Sequence, residues 1–214
     1  MDSVSSCLLD RIRNEMPATF FNLFIDAVFR IYRETYNEVF NSYDFPEAID
    51  LLPYVRRAKI EGELRRIAQG YGELDAVYEK NTAQNSWHTM LYSKTKGVAL
   101  TISATKGPRE MVRDARFRET LAKTNQLKLF YSSQNDIGGT SLYGIIIHGA
   151  DELDPSRPAF IRLGFPSRDC IEWVENFDLL KFCGMEYSQY MTPEENIQEE
   201  VLPVLRPQVK KQQK

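Results

Sequence analysis

Histidine is scarce in this chain, with His88 and His148 the only two in 214 residues. Neither has an HxxxH or HxH neighbour, and no CxxC pair occurs among Cys7, Cys170 and Cys183. The sequence therefore carries no ready-made zinc site. Three widely spaced cysteines also argue against a disulfide framework and for a reducing compartment, so a cytoplasmic location is expected. No apolar run reaches the roughly 18 residues of a membrane span. The stretch MDSVSSCLLDRIRNEM has no basic region followed by an apolar run, so a signal peptide is not expected. Phosphate cradles of the GxxxxGK[ST] or GxGxxG kind are missing, as is the GxSxG of a nucleophile elbow. The formal net charge is −3, so no global basicity announces nucleic acid, and any such signal must be local.

What is present begins with apolar surface. Hydrophobic residues make up 43% of the chain, enough to bury the core of one large domain. Residues 4–15 have the spacing of a short amphipathic helix. Pro17 then opens a longer one, over 18–41, in which Phe20, Phe24, Val28, Tyr32, Tyr36 and Phe40 recur every fourth residue as one continuous ridge. Such a helix packs between layers; its aromatic content would also suit a protein partner or self-association. A further helix follows, with Asp44 as N-cap, a split at Pro53, and Gly70 and Gly72 ending it.

After residue 70 the period changes to two. ELDAVYEK, WHTMLY and GVALTIS read as strands, the last two flanking a hairpin turn over 93–97. A basic helix over 109–123 is expected next, then a short strand LKLFY and a turn NDIGGTS holding Gly138 and Gly139. LYGIIIHG, apolar on both faces, reads as a central strand. PAFIRLGFP reads as another strand, and 171–182 as a helix. The expectation is an α+β fold: a mixed, mainly antiparallel sheet of about five or six strands, an N-terminal helical layer (1–70) and two later helices packed on the sheet. The sheet region, 71–192, forms one domain with the helices in this reading, and 193–214 is a charged C-terminal helix and basic tail.

The order of helices, three strands, helix and strands is similar to the core order of restriction-endonuclease-like folds, an analogy of topology alone. Such nucleases need carboxylates for Mg2+ and a lysine to orient water. The expected second strand has no acid, and the third offers only Thr101, Ser103 and Lys106. The first carries Glu73, Asp75 and Glu79 on one face, with Lys80 beside them. A metal-dependent nuclease would use Asp75, Glu79 and Lys80 as catalytic residues and Glu73, Asp75 and Glu79 as metal ligands; a degenerate, non-cleaving relative fits the same order. Cys170 or Cys183 with His148 would be the pair for nucleophilic catalysis, although free cysteines serve more often as small buried apolar groups.

The basic stretch is the most informative feature. Residues 94–128 hold Lys94, Lys96, Lys106, Arg109, Arg113, Arg116, Arg118, Lys123 and Lys128 against Glu110, Asp114 and Glu119. On a helical wheel Arg109, Arg113, Arg116 and Lys123 fall within about 80° of one another, with Met111, Ala115 and Ala122 opposite. Arg118 falls on the apolar side, to snorkel outward or to meet a carboxylate of strand 73–79. Phosphates bind such ridges through charge and counterion release. The reading is a non-enzymatic module that engages a polyanion, nucleic acid being the commonest, through Arg109, Arg113, Arg116, Lys123 and Lys106. It needs no cofactor, and Mg2+ enters only under the nuclease alternative. The third reading is an assembly subunit whose basic face meets an acidic protein.

Overall fold

The computed structural model describes residues 2–81, 84, 86–130 and 142–190, with the backbone alone at 2–4 and 126–130. The Gly138–Gly139 turn and the expected helix and tail over 193–214 lie outside the described residues. Three helices come first: α1 (Asp2–Glu15), α2 (Ala18–Ser42) and α3 (Glu47–Ala68). Strands β1 (Leu74–Lys80), β2 (Trp87–Ser93) and β3 (Val98–Ala104) follow, then α4 (Arg116–Phe130), β4 (Leu142–Ala150), β5 (Pro158–Pro166), β6 (Trp173–Asp178), the one-turn α5 (Leu179–Phe182) and a 3-10 turn at Tyr187–Tyr190.

The fold is α+β, with an N-terminal helical layer on a six-stranded mixed sheet in the order β1-β2-β3-β4-β5-β6. Every neighbouring pair is antiparallel except β3 and β4. A parallel pair cannot be joined by a hairpin, and this is where α4 and its leading loop make the crossover. The apolar run of β4 is explained by this position: eight of its nine residues are buried, because helices cover both faces.

The ridge of α2 is core. Phe20, Phe24, Val28 and Tyr32 are buried against α1, α3 and the sheet residues Leu91, Leu100, Ile146, Ile161 and Leu163. Tyr36 and Phe40 are half-buried and pack on a satellite core of Val39, Ala48 and Leu52. Little of the aromatic face of 18–41 is left for a partner. The exposed apolar groups of this region are Leu23 and, around the α2–α3 turn, Tyr43, Phe45, Ile49 and Tyr54.

The opposite sheet face is covered by α4 and the crossover loop through Met90, Ala99, Val112, Ala122, Tyr143, Ile145 and Ile147. Asn125 of α4 pins that contact. Its side chain donates to the carbonyls of Tyr143 and Pro166 and accepts the Tyr143 N–H at 2.8 Å.

Four local expectations are corrected. Helix α3 runs through Pro53, whose missing N–H falls on an exposed position. Asp44 does not cap it; Pro46 stands at the N-cap, with no side-chain bond. The basic helix begins at Arg116 and continues over Leu127–Phe130, where a strand was expected. Residues 173–178 are the edge strand β6 instead of a helix, because Trp173 and Phe177 pack on Gly164 and Phe165 of β5.

Candidate functional site

The crossover loop, 105–115, is held in an irregular path by its own polar groups. The Glu110 carboxylate accepts the N–H groups of Lys106 and Gly107, at 2.9 and 3.1 Å. The Pro108 carbonyl accepts from Asn176 on β6 at 2.8 Å. Val112 is buried and Met111 half-buried on the sheet. By Phe117 the chain has crossed to the other side, where its ring stacks on His88 of β2 at 3.9 Å and 17°. The loop therefore crosses one end of the sheet from β6 to β2.

Lys106, Arg109, Arg113, Arg116 and Lys123 are all exposed on this path. The wheel that sorted Arg109, Arg113, Arg116 and Lys123 does not apply, since Arg109 and Arg113 precede α4. All five follow one another along a single connection that crosses the sheet end. None enters an ion pair among the described residues; those pairs involve Arg13, Arg30, Arg57, Lys59, Arg66 and Arg157. Lys94 and Lys96 lie in the β2–β3 turn, at the opposite end of β3.

Beneath the loop the sheet opens. Strands β2 and β3 pair only at Leu91↔Leu100 and Tyr92↔Ala99. Closer to Trp87 that ladder has ended, and the Thr89 N–H instead donates to the buried Glu61 carboxylate of α3, at 3.1 Å. Glu61 also accepts from the Thr89 hydroxyl and from Arg57 Nε. Arg118 packs here from the other face. It donates to the Arg113 carbonyl at 2.7 Å and to the Ser103 hydroxyl at 3.3 Å. Burial lowers its pKa below the usual guanidinium range, opposed chiefly by Tyr143. Arg118 therefore meets hydroxyls and a carbonyl, with no carboxylate partner among the described residues. Thr101 and Tyr143 share a 2.7 Å bond beside it. His88 is 8% exposed and its Nδ1 has no hydrogen-bond partner among the described residues, as is true of Arg118 Nε. Burial pushes His88 below the ordinary imidazole range, with Glu79 and Glu61 pulling the other way.

The carboxylates of β1 are not gathered. Asp75 and Glu79 do share the crossover face, but Val77 stands between them and packs on the core, leaving roughly 13 Å between their Cα atoms at strand rise. Glu73 precedes the strand in a turn. Lys80 alternates to the other face, where its ammonium stands over the Trp87 ring. Among the described residues no group of three or more acidic, histidine or cysteine side chains could hold a metal ion. Glu79 lies instead against the Tyr92 hydroxyl, whose pKa is raised by burial first and by Glu79 second.

His148 and Cys170 lie on opposite faces of the sheet. His148 faces the helical layer, hydrogen-bonded to the Tyr32 hydroxyl at 2.7 Å, while Cys170 lies in the core of the crossover side. Burial raises the thiol pKa of Cys170, and that of Cys183 to about 11, the wrong direction for a nucleophile.

Sequence reasoning missed the aromatic groups at this end of the sheet. Tyr78 and Trp87 stack at 4.9 Å and 15° while remaining half exposed, at 50% and 43%. The available signal was a strand pair closed by the uncharged NTAQNS, with Lys80 and Trp87 at its mouth. Comparisons with protein-family models, curated proteins and solved structures find no match for this chain.

Proposed function

We propose that this protein is a non-enzymatic binding module for a polyanion, with nucleic acid as the ligand, gripped by the cations of the crossover. The observation that carries the reading is the group Lys106, Arg109, Arg113, Arg116 and Lys123: five exposed charges on one connection, none in an ion pair among the described residues. Some cations elsewhere are paired, as Arg30 and Arg66 are with Glu63, while Arg33, Lys94, Lys96 and Lys181 are exposed outside the ion pairs of the described residues but do not follow one another along a single connection. Of the acids in the same segment, the exposed Glu110 is hydrogen-bonded to the loop N–H groups and is in no ion pair with the cations among the described residues. Asp114 and Glu119 lie near the Cys170 thiol. A row of free cations binds phosphates by releasing condensed counterions, without reading sequence. Arg118 supports the row from below by bonding the Arg113 carbonyl.

The test is charge reversal. Changing Arg109, Arg113 and Arg116 together to Glu should lower oligonucleotide affinity at least tenfold in an anisotropy titration at low salt. The three side chains are exposed, so an unchanged circular dichroism spectrum is expected beside it. A triple variant that binds as tightly as the natural chain would sink the proposal.

A further inference from the structure

We infer that the polyanion is single-stranded nucleic acid, and that an unpaired base stacks on Trp87. This deepens the reading above and rests on it for the backbone contacts.

The evidence is a prepared aromatic platform at the cationic end of the sheet. Tyr78, Lys80 and Trp87 project from the β1–β2 hairpin on the α3 side, Lys80 lying directly opposite Trp87. The guanidinium of Arg65 stands 4.4 Å from the Tyr78 ring centroid, and Lys80 Nζ 5.1 Å from that of Trp87. Two aromatic rings and two cations thus form one stack. Its base is rigid, since the Trp87 carbonyl accepts from Arg57 of α3 at 2.8 Å and Arg65 is bonded to the Thr89 hydroxyl. Rings this exposed contribute little to the core. Bases stack on such surfaces irrespective of sequence, and a duplex cannot offer them because its bases are already stacked. Lys80 is exposed and flexible enough to leave the ring for a phosphate as a base arrives.

The position joins the platform to the crossover. Trp87 is the first residue of β2. The next residue, His88, stacks on Phe117 at the start of α4, next to Arg116. A strand lying along the loop cations therefore reaches the platform by rounding the sheet end.

The probes are a dT 15-mer, a 15-base-pair duplex and inorganic polyphosphate, each titrated against the full chain, the triple-Glu variant and Trp87→Ala. The expected result is that Trp87→Ala weakens the dT 15-mer about tenfold, leaves polyphosphate and duplex unchanged, and is largely rescued by Trp87→Tyr. Trp173→Phe should retain the quenching of tryptophan fluorescence by the dT 15-mer. Equal dT affinity in Trp87→Ala and the natural chain, or equal loss of all three probes, overturns the platform. If polyphosphate needs the arginines while Trp87 is immaterial, the crossover reading stands and this inference falls. If dT binding needs Trp87 but not the arginines, the platform stands and the crossover reading falls. If no probe binds, both fall.

Discussion

Acid should unfold this protein partly through one imidazole. His148 is 4% exposed, on the helical face of the central strand β4. Its Nδ1 is hydrogen-bonded to the Tyr32 hydroxyl at 2.7 Å, and burial keeps that phenol neutral by raising its pKa above the usual range. The Arg56 guanidinium lies 3.9 Å over the Tyr32 ring and adds positive charge. Burial first, and Arg56 second, lower His148 from 6.5 to about 3. The folded pKa is depressed, so this contribution is complete above the unfolded value near 6.5 and is lost as pH falls towards 3. Within that window the unfolded chain binds one more proton than the folded one. Each pH unit then removes about 1.4 kcal/mol, or roughly 4–5 kcal/mol across the window, a large part of a typical domain stability of about 5–15 kcal/mol. Urea unfolding at pH 7.5, 6, 5 and 4 of the natural chain and of His148→Gln isolates the term. Glutamine keeps an acceptor for Tyr32 but does not titrate, and the other groups are common to both proteins. The natural chain should lose about 1.4 kcal/mol more per unit than the variant between pH 6 and 4. Parallel stability curves would refute the reasoning.

Three further outcomes follow from the packing. A Cβ on Gly149 would lie 2.5 Å from the Phe160 ring and 2.7 Å from the Thr105 carbonyl oxygen, so Gly149→Ala should cost about 1–3 kcal/mol, seen as a lower denaturant midpoint with an unchanged m-value. Glu61→Ala strands the buried Thr89 N–H and hydroxyl and should cost about 2–3 kcal/mol by the same measurement; a loss below about 0.5 kcal/mol would show that water replaces the carboxylate. Of the three cysteines, Cys7 is exposed while Cys170 is buried and Cys183 half-buried, both with raised thiol pKa values. A disulfide reagent at pH 8 should therefore react rapidly with one thiol per folded chain and with three after denaturation.

Much of the fold was legible because its signals are periodic. The four-residue ridge of α2 and the uninterrupted apolar run of β4 each report a local geometry and a degree of burial that follow from the sequence. The basic segment was misread for a definable reason. Its residues satisfy a helical wheel from 109, but Glu110 bonds back to the loop N–H groups and Pro108 is tied to β6 through Asn176. Those tertiary bonds override the local preference, and Arg109 and Arg113 lie on a loop where a helical face was expected. Residues 173–178 show the same override, since a neighbouring strand edge recruits a segment whose apolar spacing also suits a helix. Arg118 was recognised as out of place, but its partners, Ser103 and Tyr143, come from strands whose adjacency only the parallel crossover creates. Tyr78 and Trp87 become a stack through hairpin register, which the spacing of either strand alone does not reveal.

The central claim, a grip on phosphates by the crossover cations, is tested most directly by the salt dependence of affinity for a labelled dT 15-mer. Three to five phosphate contacts on a single strand give a slope of log K against log salt of about −2 to −3.5. Affinity should then fall roughly 20- to 130-fold between 50 and 200 mM salt, and the triple-Glu variant, left with Lys106 and Lys123, should show a slope no steeper than about −1.4. A slope flatter than −1 for the natural chain, or the same slope in both proteins, would contradict the account.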